Sequence, residues 1–252
     1  MINTDPIVIH IFNGSIYLAF LCSFYSLIMY LHTYRVILPL LLWIFIDAYA
    51  CHLIKYKYKL NYNDSIIQTC VNTFHASFTS ISTVLYLCNI LPEWIYIETL
   101  VISYVYLSYD CFQLLISNIN AKMRNQLLFH HTLVLTNMLP IFIESFRILH
   151  NYWYISAILY LSEITTIPLN IAWTMNDLKK TDTLLFKGAS ILTIILYIPC
   201  RLLSTSYVLY MLYRDSYFNS FMFFTFVFLA LNCYWFYKLV LRFYNSTLVI
   251  RR

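Results

Sequence analysis

Six consecutive apolar segments of the chain each contain a strongly polar residue that could take part in chemistry. Inserting an ionisable residue into hydrocarbon costs about 2.5–3.5 kcal/mol on insertion scales, so such a residue is expected to have a structural or functional role. One such group per segment predicts a shared polar interior, because scattered lipid-facing positions would not be spread so evenly. In chain order these residues are His75, Asp110, the pair His130 and His131, Glu163 with Asn170, Arg201, and Asn232.

The chemistry that this set could perform is proton transfer. A neutral histidine such as His130 or His131 can take a proton from an amine or hydroxyl nucleophile, and it can also accept an acyl group directly. Asp110 could orient an imidazole and stabilise its charged form. Neighbouring residues on a helix point about 100° apart, so the two histidines could line one cavity without acting as a matched pair.

Three interpretations of the polar residues stay open from the residues alone. They could pair with one another and hold the helices together, form a lipid-handling site, or line a transport or proton pathway. Three histidines and two carboxylates could in principle bind a metal, but neither an HxxxH nor an ExxH spacing is present. We therefore expect no metal and no resident cofactor.

Composition indicates what must position these groups. Hydrophobic residues make up 61% of the 252-residue chain and charged residues only 11%, and the mean hydropathy is +0.69. A water-soluble fold of this size could not hide so much apolar surface. Only 2 glycines are present, and the runs are continuously apolar without the alternation of a membrane β-barrel. The composition predicts an all-α, polytopic transmembrane helix bundle.

Eight apolar runs can be read along the chain, most of them long enough to cross about 30 Å of hydrocarbon. The second is the weakest because it contains Asp47, so the chain is predicted to cross the membrane seven or eight times. We divide it into an N-terminal anchor region (1–60), a six-helix membrane core (61–245) and a short basic tail (246–252). The runs are 9–32, 36–54, 66–88, 95–117, 126–144, 152–173, 185–210 and 217–241.

Basic residues predict the orientation of the chain. Most of those between the runs fall on one side of the membrane if each of the last six runs crosses once, and the opposite loops hold only Arg147 and Arg214. The positive-inside rule places the Lys-rich side and the C-terminus in the cytosol, although Arg35 would then face the lumen. With this orientation the polar interior resembles a funnel open to the cytosol. The thinly spread net charge of +5 indicates no nucleic-acid partner. The loops and tail that carry these residues contain Lys55, Lys57, Lys59, Lys122, Arg124, Lys179, Lys180, Arg242, Arg251 and Arg252.

Several segments resemble, in order, the motifs of the TLC-domain family, which includes the ceramide synthases and the translocating-chain-associating membrane protein. Residues 163–173 resemble its E-x-S-T-P-F-x-N-x-x-W signature, with Thr165 in place of Ser and Pro168 one position late. The resemblance covers about residues 60–245. The other matching segments are 72–76 with His75, 106–110 ending at Asp110, 129–132 with the double histidine, Arg201, and 232–236 beginning at Asn232.

The resemblance implies a six-helix membrane core and a role in lipid handling. In the ceramide synthases the double histidine is considered catalytic and an acyl group passes from acyl-CoA to a sphingoid amine, so His130, His131 and Asp110 are the expected catalytic residues here. The other polar residues are expected to contact lipid. Residues 161–164 depart from the H-D-x-x-D stretch of those enzymes, so the chain is closer to the less characterised TLC-domain proteins, for which lipid sensing, trafficking and membrane-composition roles are proposed.

Two functions therefore remain open at this point. One is a non-catalytic lipid-binding, trafficking or membrane-homeostasis factor, which the missing Asp-rich stretch favours. The other is an acyltransferase with acyl-CoA as a substrate. Either fits an integral protein of the endoplasmic reticulum or a related endomembrane whose partners are membrane lipids, and the sequence is compatible with a homo-oligomer.

Overall fold

The structure is a computed structural model that describes residues 34–54, 64–116, 121–138, 152–215 and 220–249. The first predicted apolar run, 9–32, lies outside the described residues. In the described ranges every regular element is helical and no strand occurs. The helices are α1 (Tyr34–His52), α2 (Asp64–Leu87), α3 (Glu93–Ile116), α4 (Ala121–Met138), α5 (Tyr152–Tyr160), α6 (Glu163–Asp177), α7 (Leu184–Tyr197), α8 (Ser204–Arg214) and α9 (Ser220–Val249).

Two of the predicted continuous runs are interrupted helices. Between α5 and α6 the chain tightens, because the amides of Ile164 and Thr165 bond to carbonyls three residues earlier instead of four. Between α7 and α8 the segment Ile198–Leu203 is a π-helix that begins beside Pro199. Pro199 lacks the N–H that the regular hydrogen bonds of an α-helix need, which favours a local change of helical pitch at this second interruption. Each pair, α5 with α6 and α7 with α8, still forms one long rod. If each of the other five helices is also counted as a rod, the described chain has seven rods.

Six of these rods close into a ring. The α2 rod contacts α3, α3 contacts α4, and α4 contacts α9. The α9 rod then packs against the α7–α8 rod, which packs against the α5–α6 rod, and this last rod returns to α2. The remaining rod, α1, lies outside the ring against α2 and α3. A ring of six rods has an interior to which every rod presents one face.

Polar contacts attach α1 to the outside of α3. Near one end Arg35 pairs with Glu98, and in the middle the indole N–H of Trp43 donates to the carbonyl of Ile102 at 3.2 Å. Further along, the Tyr109 hydroxyl donates to Asp47 at 2.9 Å. The carboxylate that weakened the second predicted run thus has a partner on the neighbouring rod.

Burial is inverted relative to a water-soluble bundle. Large apolar side chains face outward, as with Leu38 at 72% exposed and Phe223 at 63%, while His75 at 1% and Asn232 at 0% are enclosed among buried apolar side chains. An apolar exterior with the strongly polar groups enclosed is the pattern expected in lipid. Four described helices are long and apolar enough to cross a membrane by length and composition, in 35–52, 152–177, 184–214 and 221–242. The prediction of an all-α membrane bundle is confirmed, whereas the count of seven or eight crossings stays a prediction.

Candidate functional site

The first cluster inside the ring joins α2, α3 and α4. Nδ1 of His131 lies 3.2 Å from Oδ2 of the buried Asp110, in a close contact whose angle is outside hydrogen-bond geometry. The other carboxylate oxygen of Asp110 accepts a hydrogen bond from the Gln68 amide at 3.0 Å. The carboxylate is thereby held between two rods, and its position beside Nδ1 leaves Nε2 as the nitrogen for proton transfer.

The second histidine of the pair points elsewhere. The His130 ring packs 4.9 Å from the ring centre of Trp235 and 5.5 Å from that of Phe228, both on α9. Its Nδ1 is buried and has no hydrogen-bond partner among the described residues. The two adjacent histidines therefore serve different sides of the interior, as the rotation of about 100° per helical residue requires.

His75 lies in an aromatic enclosure on α2. Its ring stacks on Tyr106 at 4.0 Å between centroids, with Trp43 at 5.7 Å. Nε2 of His75 is 2.7 Å from the Ser103 hydroxyl, which is in turn 2.9 Å from the hydroxyl of Tyr160. This chain of polar groups connects three rods and fixes the ring of His75, while its Nδ1 has no partner in the described part of the chain.

The second cluster surrounds Arg201, which the π-helical segment carries into the interior, where it is only 4% exposed. Its guanidinium donates to the Thr165 hydroxyl at 2.5 Å and to the Thr166 hydroxyl at 2.8 Å, both on α6. A third bond, of 3.3 Å, reaches the side-chain oxygen of Asn232 on α9. The ring of Tyr197 lies 5.3 Å from the guanidinium carbon.

Two other predicted site residues have separate surroundings. The Asn170 amide donates to the Thr73 hydroxyl at 3.1 Å and so ties α6 to α2. Glu163 begins α6 and is half-buried, within electrostatic reach of Tyr106 and Tyr160. Within the described ranges it makes no ion pair or hydrogen bond through its side chain.

The predicted residues thus form two clusters connected through the double histidine. His131 belongs to the Asp110 cluster and lies within electrostatic reach of His75 and His130. His130 is also within reach of the Arg201 guanidinium. Asn232 belongs to the Arg201 cluster, while Asn170 and Glu163 stand apart from both. The roles assigned to all of these residues remain predictions.

Several participants were missed from the sequence. Gln68 stands seven residues before His75, a spacing that places both on one helix face, so its pairing with Asp110 had a detectable signal. Thr165 and Thr166 lie in the signature segment but were not treated as partners of Arg201. Trp235 lies in the matching segment 232–236, but that segment does not indicate that its ring packs against His130.

The described residues include no group of three or more His, Cys, Asp or Glu side chains that could hold a metal ion. A pocket of about 470 Å³ opens at the α2–α3 turn, where Asn89, Pro92 and Glu93 meet Tyr154 of α5. None of the predicted site residues lines this pocket. The described interior side chains that could take part in chemistry are an imidazole beside a carboxylate, and a guanidinium among neutral donors and acceptors.

Comparison with known proteins gives one match. The sequence model of the family described as the TLC domain matches residues 64–241, which cover all six rods of the ring. The match confirms the family indicated by the sequence motifs. No curated protein and no solved structure matches the chain significantly.

Proposed function

Because the chain belongs to the TLC-domain family of membrane proteins, we propose that it binds a membrane lipid with fatty acyl chains inside the helix ring. It serves as a lipid-binding, trafficking or membrane-homeostasis factor. The observation that carries this proposal is a set of buried polar atoms without hydrogen-bond partners in the described chain: Nδ1 of His75, Nδ1 of His130 and Nδ2 of Asn232.

A purely structural interior would be expected to satisfy its own polar groups. A buried donor or acceptor left unpaired costs about 1–3 kcal/mol, and hydrocarbon offers no water to replace the missing partner. Here His130 and Asn232 lie on facing rods, α4 and α9, and each retains an unused polar atom. A ligand that carries polar head-group atoms would satisfy them, while its acyl chains would contact the apolar walls.

The test is a comparison of the lipids that co-purify with the protein. Wild type, His130→Ala/His131→Ala and Arg214→Gln would be purified in the same mild detergent, and bound lipids quantified against the bulk membrane extract. Arg214 is the matched control because it is an exposed cation at the end of α8. We expect one lipid class to be enriched with wild type and Arg214→Gln and depleted with the double variant. Equal enrichment in all three folded proteins would contradict the proposal.

A second candidate function is an acyl-CoA-dependent lipid acyltransferase, and the contact between His131 and Asp110 favours it. In this reaction Nε2 of His131 takes a proton from an amine or hydroxyl of the acceptor lipid as that group attacks the thioester carbonyl. The carbon–sulfur bond breaks, an amide or ester forms, and the imidazolium returns the proton to the departing CoA thiolate. Asp110 stabilises the imidazolium, and Gln68 holds the carboxylate in place.

The acyltransferase reaction would be tested by supplying isotopically labelled acyl-CoA to membranes that contain the protein. Incorporation of label into a lipid should depend on His131 and Asp110 and survive Arg214→Gln. His131→Ala and Asp110→Asn should each lower incorporation by about 100-fold or more, the range of general acid–base contributions. Incorporation that persists in both variants would exclude this chemistry at His131.

The proposal includes the location and orientation of the protein. It resides in the endoplasmic reticulum or a related endomembrane, with its C-terminus in the cytosol. Support comes from the basic residues that flank alternate spans, among them Lys179 and Lys180 between α6 and α7. Protease accessibility of a C-terminal tag in sealed microsomes would test the orientation: digestion without detergent agrees with it, and protection opposes it.

A further inference from the structure

We infer that Arg201 binds the anionic group of the lipid, through phosphate or carboxylate oxygens, so that the ligand of the ring is an anionic lipid. This inference rests on the proposed function and specifies the ligand of the same interior. It follows from one feature of the Arg201 cluster: within the described ranges, a buried cation is surrounded by neutral partners only.

The charge of Arg201 lacks a counter-charge in the described chain. Its three hydrogen bonds go to two hydroxyls and one amide oxygen, and its aromatic neighbour Tyr197 is also neutral. An arginine stays protonated in proteins, so the charge cannot be removed by losing a proton. Burying an ion without a partner carries a desolvation penalty that neutral contacts repay only in part. An anionic ligand would supply the negative charge that Arg201 lacks among its described neighbours.

Neighbouring acidic residues do not fill this role. Glu163 is three positions before Thr166 and shares a helix face with it. In the described chain, however, no ion pair or hydrogen bond joins its carboxylate to Arg201, and the carboxylate lies within electrostatic reach of Tyr106 and Tyr160. Asp110 is committed to Gln68 and His131. The titratable group within electrostatic reach of Arg201 on α4 is His130, which is not acidic and so does not supply the counter-charge.

The geometry suits an oxyanion. A guanidinium has five N–H groups in a planar fork that matches carboxylate and phosphate oxygens. Two threonine hydroxyls and the Asn232 oxygen accept hydrogen bonds from three of them, and Tyr197 lies beside the same guanidinium. Nδ2 of Asn232, fully buried and without a partner in the described residues, adds donors next to it. The threonines and the asparagine oxygen fix the orientation of the fork towards an oxyanion ligand.

Two sources could provide the oxyanion: the carboxylate of a fatty acid, or the phosphate of a phospholipid. The experiment therefore presents purified protein with oleate, dioleoyl phosphatidic acid or neutral dioleoylglycerol, and measures binding by native mass spectrometry and ligand-induced thermal shift. We expect wild type to bind at least one anionic lipid about tenfold or more tightly than the neutral one. Stronger binding of oleate would identify a carboxylate ligand, and of phosphatidic acid a phosphate ligand.

Variants then assign the preference to Arg201. Arg201→Gln should abolish the preference for anionic lipid, and Arg201→Lys, which keeps the charge without the planar fork, should retain part of it. Arg214→Gln, on the same rod but exposed, should leave the preference intact. If Arg201→Gln does not fold, the inference is still tested by the preference of wild type for anionic lipid and by its partial retention in Arg201→Lys.

Two results would overturn the inference, and a third would overturn the proposed function. Wild type that binds the neutral and anionic lipids equally would exclude an oxyanion receptor while leaving the proposed lipid binding in place. A preference that survives in folded Arg201→Gln would place the receptor elsewhere. Failure of every lipid to bind wild type would instead contradict the proposed function itself, so the two failures are distinguishable.

Discussion

The Asp110 cluster and the Arg201 cluster both bury an ionisable group in one helix ring, but their charges are treated differently. The Asp110 carboxylate has a histidine at 3.2 Å and an amide donor at 3.0 Å. The Arg201 guanidinium has hydroxyl and amide oxygens as partners, and none of these carries charge. The carboxylate therefore lies beside a group that can become cationic, whereas the guanidinium has no anionic partner among the residues that the structure describes.

This difference separates a cluster that is self-sufficient in charge from one that is not. The charge of a carboxylate beside a histidine is compensated when the imidazole takes up a proton. A guanidinium has no such route, so full compensation must come from outside the described chain. The Asp110 cluster is accordingly the part of the interior suited to proton transfer, and the Arg201 cluster the part suited to anchoring a charged ligand.

The largest effect on stability is expected from Asp110→Ala. It leaves the Gln68 amide and the His131 imidazole without their buried partner, and breaking a buried pair from one side costs about 3–5 kcal/mol. The free energy of unfolding, measured by denaturation in mixed micelles, should fall by this amount. Asp215→Ala is the control, because Asp215 pairs with Arg214 at an exposed helix end. A change in Asp110→Ala as small as that of the control would show that the cluster is not self-sufficient.

Arg201→Met should behave in the opposite way in the absence of ligand. Removing a buried charge that lacks a counter-charge relieves its desolvation cost, so stability should stay within about 1 kcal/mol of wild type or rise. What should disappear is the extra stabilisation by anionic lipid, about 1.5–3 kcal/mol for hydrogen bonds to a charged group. Thermal unfolding without lipid measures the stability of the ligand-free protein, and the change on adding lipid measures the extra stabilisation. A ligand-free loss equal to that of Asp110→Ala would make the two clusters alike.

Asn170→Ala gives a neutral reference for the comparison. It removes the bond from the Asn170 amide to the Thr73 hydroxyl between α6 and α2, with no change in charge. Hydrogen bonds between membrane helices contribute about 0.6 kcal/mol on average, so a loss of about 1 kcal/mol or less is expected in the same denaturation assay. Thr73→Ser, which keeps the hydroxyl, is the matched control. A loss above that of Asp110→Ala would mean that charge does not decide which interior contacts matter.

The smallest effect is expected outside the ring. Arg35 and Glu98 form an ion pair between α1 and α3, with side chains 29% and 43% exposed. Partly exposed pairs contribute about 0–1 kcal/mol, so Glu98→Gln should shift the unfolding free energy by no more than about 0.5 kcal/mol. A shift of several kcal/mol would show that charge pairing at the rim stabilises the protein as much as pairing in the interior does.

The helices could be predicted from the sequence, but the rotation of each helix about its own axis could not. Continuous apolar runs predict helices because the hydrocarbon requires internally satisfied backbones, and one polar residue per run predicts an interior. Which of the two adjacent histidines faces Asp110 depends on how α4 is turned against α3, and the local sequence does not encode that angle. His131 takes this place, and His130 faces the aromatic residues of α9.

The order of rods around the ring could not be predicted either. The α4 rod packs along α9, and its end also bonds to α5, where the hydroxyls of Tyr152 and Tyr160 reach residues 137 and 138. Arg201 meets Thr165, Thr166 and Asn232 from separate segments of the chain. That Arg201 has no acidic partner among the described residues emerges only when all rods are in place. The pitch change at Pro199 was likewise hidden, because a proline in an apolar run is compatible with several local geometries.

The most direct test of lipid binding inside the ring is photo-crosslinking in intact membranes with a fatty acyl lipid that carries a diazirine, followed by peptide mapping of the adducts. We expect adducts on inward-facing residues of α4, α9 and the π-helical segment, and we expect an excess of unlabelled lipid to reduce their yield. Adducts confined to outward-facing side chains such as Leu38 and Phe223, with no competition by unlabelled lipid, would contradict it.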